Sequence, residues 1–201
     1  MTRILAGLAA TVLLLAAAQL QAAPPPPEEV LKDRVMGNPD APIEIIEYAS
    51  LTCPHCRDFN VETLPELKKN YIDTGKAKLI YRDFPIDQLS VVAALMARCA
   101  PEDRYYQFID VLFENQDKWK YDPDPVEALM RIGKLGGLSE ADFKACTSND
   151  TLINGIIQSR QNAGKQYDVN STPSFVINGK KRIVGAQPYE VFDETLKKLE
   201  K

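Results

Sequence analysis

Cys53-Pro54-His55-Cys56 follows an apolar run, Ile43 to Tyr48, and precedes a helical pattern from Arg57 to Asn70. A strand that runs into Cys-x-x-Cys and then into a helix is the setting in which this spacing reads as a redox dithiol. At the start of a helix Cys53 lies over unpaired backbone N–H groups and the positive end of the helix dipole. Both stabilise a thiolate and lower the cysteine pKa. Cys56 falls one turn later, close enough to close a small disulfide ring. Pro54 suits the first turn, where the N–H it lacks would be unpaired anyway.

His55 is the only histidine. Its protonated ring would add positive charge near Cys53 and favour the reduced form, making the disulfide an oxidant. Each pKa unit is about 1.4 kcal/mol, the energy of roughly 30 mV in a two-electron couple. Two other readings of the motif stay open. Cys-x-x-Cys supplies half of a zinc site, with Cys99 and Cys146 as the distant remaining candidates. It can also be a purely structural disulfide.

Residues 1–22 read as an export signal. Arg3 supplies the positive end, Ile4 to Ala18 the apolar stretch, and Leu20-Gln21-Ala22 a cleavage site. The apolar stretch is too short for a comfortable membrane span. Removing Arg3 from the formal charge of −4 leaves −5. No long basic run suggests nucleic acid as a partner. Export together with four cysteines points to an oxidising compartment. Residues 23–36 read as an N-terminal leader: a proline run, then one or two helical turns too short for a dimerising stalk, so a monomer is expected.

Ile43 to Tyr48 alternates, with Ile43, Ile45 and Glu47 on one face and Glu44, Ile46 and Tyr48 on the other. Parity leaves room for one of the two carboxylates to be buried and does not say which. Pro65 is expected to kink the helix that follows the motif. Lys78 to Phe84 reads as a second strand. From Gln88 to Tyr167 the pattern is helical throughout. Ser174 to Ile177 and Arg182 to Gly185 are strands joined by Asn178-Gly179, a strong hairpin signal. Pro188 opens a final amphipathic helix. Cys99 and Cys146 lie in the helical region, and an exported protein seldom leaves two such cysteines free. They are expected to form a second, structural disulfide, on compartment and pairing rather than geometry.

The order of these elements resembles a thioredoxin fold, an α/β class, interrupted by an inserted helical domain. The thioredoxin-fold domain would span residues 37–87 and 168–201, and the helical insertion residues 88–167. Cys53-Pro54-His55-Cys56 behind an export signal resembles the DsbA-type periplasmic thiol:disulfide oxidoreductases. Asp73-Thr74-Gly75-Lys76 and Tyr81-Arg82-Asp83-Phe84-Pro85 are similar to the DsbA-like branch common in alphaproteobacteria. The resemblance runs from Gly37 to the end of the chain.

It implies that Cys53 is the attacking cysteine and Cys56 the buried resolving one. Glu47 would be the buried acid below the disulfide. Pro173 would be cis and face Cys53, after Thr172 where the best-studied enterobacterial members carry valine. Threonine there also occurs in reducing and isomerising relatives. The implied activity is a periplasmic thiol:disulfide oxidoreductase that introduces disulfides into reduced, unfolded exported proteins, without a soluble cofactor or a metal. A DsbB-like membrane protein would reoxidise it. The alternatives are an isomerase or reductase kept reduced by a DsbD-like partner, and a protein that holds copper or zinc through Cys53, His55 and Cys56.

Overall fold

The computed structural model describes residues 25–200, so the expected export signal over residues 1–22 lies outside the described residues. The proline run enters a single helical turn, α1 (Pro27–Val30), and the chain then extends into a short strand, β1 (Val35–Met36). This segment is more than a leader. β1 pairs antiparallel with β3 (Ala77–Asp83), Val35 opposite Ile80 and Met36 opposite Leu79.

β2 (Ile43–Ala49) is the central strand of a five-stranded sheet ordered β1-β3-β2-β4-β5. It runs parallel to β3 and antiparallel to β4 (Ser174–Ile177), with Glu47 opposite Tyr81 on one side and Phe175 on the other. β4 turns through Asn178 and Gly179, both at positive φ, into the edge strand β5 (Lys181–Val184). The two left-handed residues match the twist of the hairpin, which is why Asn-Gly marks it.

A strand covered on both faces needs two apolar layers. Ile43 and Ile45 pack with Phe59, Leu67, Phe192 and Leu196 on one side. Ile46 and Tyr48 pack with Ala163 and Val169 on the other. The first layer comes from the helix after the motif and from α10 (Tyr189–Lys197). The motif helix continues without a break through α2 (Pro54–Asp58), a π-helical stretch (Phe59–Thr63), α3 (Leu64–Leu67) and a second π-helical stretch (Lys68–Ile72). Pro65, expected to kink it, lies between the two wider stretches, whose i to i+5 bonds absorb the donor that proline lacks.

The helical region comprises α4 (Gln88–Cys99), α5 (Tyr105–Glu114), α6 (Gln116–Lys120), α7 (Pro125–Leu135), α8 (Glu140–Thr147) and α9 (Asp150–Tyr167). Asp87 and Ser90 close a reciprocal capping box that starts α4. The C-terminal half of α4 is buried, and its Leu95 and Met96 share one apolar cluster with Phe113, Trp119 and the motif's own Leu51, Cys53 and Cys56. The floor of the motif is therefore built by the helical region. Each large side chain buried this way contributes about 1.5–3 kcal/mol. α9 returns to the sheet, where Ala163 covers its second face.

Two cross-links tie these parts. Cys99 and Cys146 form a disulfide between α4 and α8, with Cα atoms 6.4 Å apart. Arg98 of α4 pairs with Asp83 of β3, both buried, and its Nη1 donates to the Val30 and Lys32 carbonyls at 3.3 and 3.1 Å. One guanidinium thus joins helices, sheet and N-terminal segment. Among the described residues no helix is long and apolar enough to cross a membrane.

Candidate active site

The site sits where β2 ends and α2 begins. Cys53 is the N-cap residue, with extended backbone angles, and Pro54 opens the helix. The two cysteines stand as the dithiol. Cys53 retains 5% exposure and Cys56 none. The turn that carries them is held from several sides. The Cys53 N–H donates to the Ser50 carbonyl at 3.0 Å. The Thr52 hydroxyl donates to Asp87 at 2.8 Å, which ties the turn to the cap of α4. From α6, the Gln116 amide donates to the carbonyls of Leu51 and Cys53 at 2.8 and 3.0 Å, and the Lys120 ammonium to that of Thr52 at 2.9 Å. A turn whose carbonyls are occupied in this way presents Cys53 in one orientation.

The Thr172–Pro173 peptide bond is cis. It brings the Thr172 carbonyl to 3.6 Å from the Cys53 sulfur, a contact across 119 residues of sequence. Pro173 then leads into β4, beside β2.

The two sulfurs have opposite environments. The pKa of Cys53 is lowered to about 5, first by a hydrogen bond from the Cys56 thiol, against the cost of burial, then by Thr172 and the backbone N–H groups of Cys56 and His55. Burial pushes the Cys56 thiol well up, and the Cys53 sulfur beside it adds to the rise. The backbone N–H of Ser50 donates to Cys56 at 3.5 Å. The dithiol is thus arranged as an outer thiolate hydrogen-bonded by an inner thiol, the order needed for one sulfur to attack and the other to resolve.

The sequence expected the His55 imidazolium to supply positive charge to Cys53. In the structure the His55 backbone N–H is among the groups that stabilise the Cys53 thiolate. The ring is 73% exposed, with Nδ1 3.6 Å from Asp58 one turn along the helix. The side chain of an N-terminal helix residue projects outward while its N–H points into the cap, so the two parts of His55 separate.

Glu47 is the buried carboxylate that parity left undecided. It lies on the face of β2 towards the motif helix at 2% exposure, whereas Glu44 is half-exposed and pairs with Lys78. Glu47 Oε1 has no hydrogen-bond partner among the described residues. Burial raises its pKa to about 8, with a further contribution from the charge of Asp110. Gln116, Lys120, Thr52 and Asp87, which hold the turn, went unread in the sequence. Asp87 carried a legible signal as a helix cap; Gln116 and Lys120 carried none.

A family model described as thioredoxin matches residues 29–198. The crystal structure of Wolbachia pipientis alpha-DsbA1 superimposes with a TM-score of 0.77 at 31% identity, covering 84% of this chain and 91% of that one. This chain is a DsbA-like member of the thioredoxin family. BdbD from Bacillus subtilis shares the fold of this DsbA-like protein, with a TM-score of 0.70 at 23% identity over 84% of this chain and 92% of that one. In sequence, a Rickettsia typhi protein described as a candidate protein-disulfide oxidoreductase is 36% identical over 148 residues. That match takes in 73% of this chain and 55% of the relative, so the chain spans about half the length of the Rickettsia relatives it matches.

Proposed function

We propose that this DsbA-like protein is a thiol:disulfide oxidoreductase working as an oxidase on reduced, unfolded exported proteins. The observation that carries the reading is the unequal pair: a stabilised Cys53 thiolate above a buried Cys56 thiol. A fold that favours the thiolate makes its own disulfide easy to reduce. In the forward reaction a substrate thiolate attacks Cys53 in the Cys53–Cys56 disulfide. A substrate–Cys53 disulfide forms, and the electron pair of the broken bond goes to the Cys56 sulfur, which takes up a proton. A second substrate thiolate then attacks the substrate sulfur and expels Cys53 as its thiolate. The substrate is oxidised by two electrons and the enzyme is left as the dithiol. A DsbB-like membrane protein would take these electrons.

In this reading residues 1–22 are a cleaved export signal and the protein acts in the periplasm as a monomer. Residues 37–87 and 168–201 form the thioredoxin part and 88–167 the inserted helices. Cys53 is the attacking sulfur, Cys56 resolves, Pro54 and the backbone of His55 shape the helix start, and Thr172 and Pro173 line the substrate side. The side-chain hydrogen bond between Thr172 and Cys53 supports a second reading, a reductase or isomerase kept reduced by a DsbD-like partner.

Equilibration of the Cys53–Cys56 pair with glutathione separates the two. An oxidase is reduced at low glutathione and is more stable as the dithiol. A pair that stays oxidised under those conditions, in a protein more stable as the disulfide, supports the reductant. Cys53→Ser should abolish oxidation of a reduced protein, and Cys56→Ser should trap the mixed disulfide. Undiminished activity of the Cys53 variant would sink the mechanism.

A further inference from the structure

Ser50, the residue that follows β2, touches both cysteines. Its carbonyl accepts from the Cys53 N–H at 3.0 Å, and its own N–H donates to the Cys56 sulfur at 3.5 Å. One residue thus spans the pair, and its side chain is held in turn. The Ser50 and Thr52 hydroxyls lie 3.2 Å apart, and the Thr52 hydroxyl donates to Asp87 Oδ2 at 2.8 Å. A hydroxyl has one proton to give. Thr52 gives its own to Asp87, so the Ser50 hydroxyl is the donor to Thr52. Ser50 and Thr52 are 2% and 1% exposed, which leaves neither hydroxyl water to turn to.

This line of contacts is anchored outside the motif. Asp87 is the N-cap of α4: its Oδ1 accepts from the Ser90 N–H at 2.7 Å, and its own N–H donates to the Ser90 hydroxyl at 3.2 Å. One carboxylate oxygen therefore fixes the helix and the other fixes the motif turn. Thr52 is held a second time, by the Lys120 ammonium on its carbonyl. Asp87, Thr52, Ser50 and Cys56 thus join the helical region to the inner sulfur through contacts of 2.8, 3.2 and 3.5 Å. Ser50 itself lies one residue beyond the last ladder pair, Ala49 opposite Asp83. The peptide that carries its N–H is fixed at the other end, where the Ala49 carbonyl accepts from the Phe84 N–H at 2.8 Å. The Ser50 end is the one the sheet leaves free, and the Thr52 hydroxyl holds it.

We propose that Thr52 is a positioning residue for the departure of Cys56: anchored by Asp87, its hydroxyl holds Ser50 so that the Ser50 N–H faces the Cys56 sulfur as the disulfide opens. The inference deepens the oxidoreductase reading and rests on it. When a thiolate attacks Cys53, a bond to the Cys53 sulfur forms, the Cys53–Cys56 bond breaks, and its electron pair goes to the Cys56 sulfur. At that moment Cys56 carries charge in a buried place. Burial, the Cys53 sulfur and Glu47 all oppose that charge, and the Ser50 N–H favours it. A donor already in place needs no reorganisation as charge develops. A better stabilised leaving thiolate departs faster.

The test reads the contact and the reaction separately, in the full chain. Thr52→Val keeps the shape and removes the hydroxyl, and Thr52→Ser keeps the hydroxyl. By NMR of the dithiol form, the Ser50 amide proton should move upfield in the valine variant and return in the serine variant. Reduction of the disulfide by dithiothreitol at fixed pH should slow about three- to tenfold in Thr52→Val, the worth of one hydrogen bond, and recover in Thr52→Ser. Ser50→Ala breaks the same link from its other end and should slow reduction equally. The double variant Thr52→Val with Ser50→Ala should be no slower than either single one, because one link is lost in each. The Cys53 thiolate midpoint should stay near 5 throughout, since its donors are the Cys56 thiol, Thr172 and the backbone N–H groups of Cys56 and His55. An unmoved Ser50 amide, undiminished reduction, additive losses in the double variant, or slowing that follows a rise of the Cys53 midpoint each overturns the inference. Failure of the native disulfide to react with dithiothreitol overturns the oxidoreductase reading instead, and the Ser50 amide still answers for the contact.

Discussion

Glu47→Gln should make the protein progressively more stable than the native chain as pH rises, although it removes an ionisable group. The unfolded carboxyl titrates at 4.5 and the folded one at about 8. Below pH 4.5 both states hold the proton and the group contributes no pH dependence. Between 4.5 and 8 the unfolded state releases it first while the folded state keeps it. Fewer protons are bound on unfolding, so stability falls with rising pH through this window. By pH 7 the difference spans 2.5 units, and at 1.36 kcal/mol per unit this is about 3 kcal/mol. Full burial means solvent does not screen the effect away. Glutamine has nearly the shape of the protonated acid and cannot ionise. Urea denaturation of native and Glu47→Gln protein, in the same redox state at pH 4 and pH 7, measures the change. The stability gap should move by about 3 kcal/mol in favour of glutamine from the lower to the higher pH. Any fixed cost of seating the amide cancels in that comparison. Parallel stability curves would refute the reasoning, because they would place Glu47 in contact with water.

Other substitutions test the remaining contacts. His55→Ala should leave the Cys53 thiolate absorbance titration nearly in place, because the backbone N–H stays and the ring points to Asp58. A large upward shift would return the role to the imidazole. Arg98→Leu should cost about 3–5 kcal/mol in denaturant unfolding, because it strands the Asp83 carboxylate and two carbonyls of the N-terminal segment. A near-neutral result would mean the pair is solvated. Cys99→Ala with Cys146→Ala should lower the melting temperature and spare thiol oxidation. A bridge across a separation of 47 residues contributes about 4 kcal/mol on the chain-entropy account. Loss of oxidation in this double variant at temperatures where it is folded would join the two disulfides functionally.

Much of the site was legible locally because the forces that make it are local. Cys-x-x-Cys after an apolar strand determined a sulfur at a helix start, and Asn178-Gly179 determined the hairpin beside it, since each depends on the backbone angles of a few successive residues. Period-two alternation on β2 placed Glu47 and Glu44 on opposite faces. Which face was buried more deeply depended on α5 and the motif helix packing over one of them. That is a property of distant segments meeting, and only the tertiary structure decided it. The same holds for Gln116, Lys120 and Asp110. In sequence they are ordinary polar residues on short helices, and their partners lie at separations of 65, 68 and 50 residues. His55 marks the limit from the other side. The motif specified that a donor would reach Cys53 there, yet only the packed helix end decided that it would be the backbone and not the ring, because an exposed N-terminal side chain turns to water while its N–H is held in the cap.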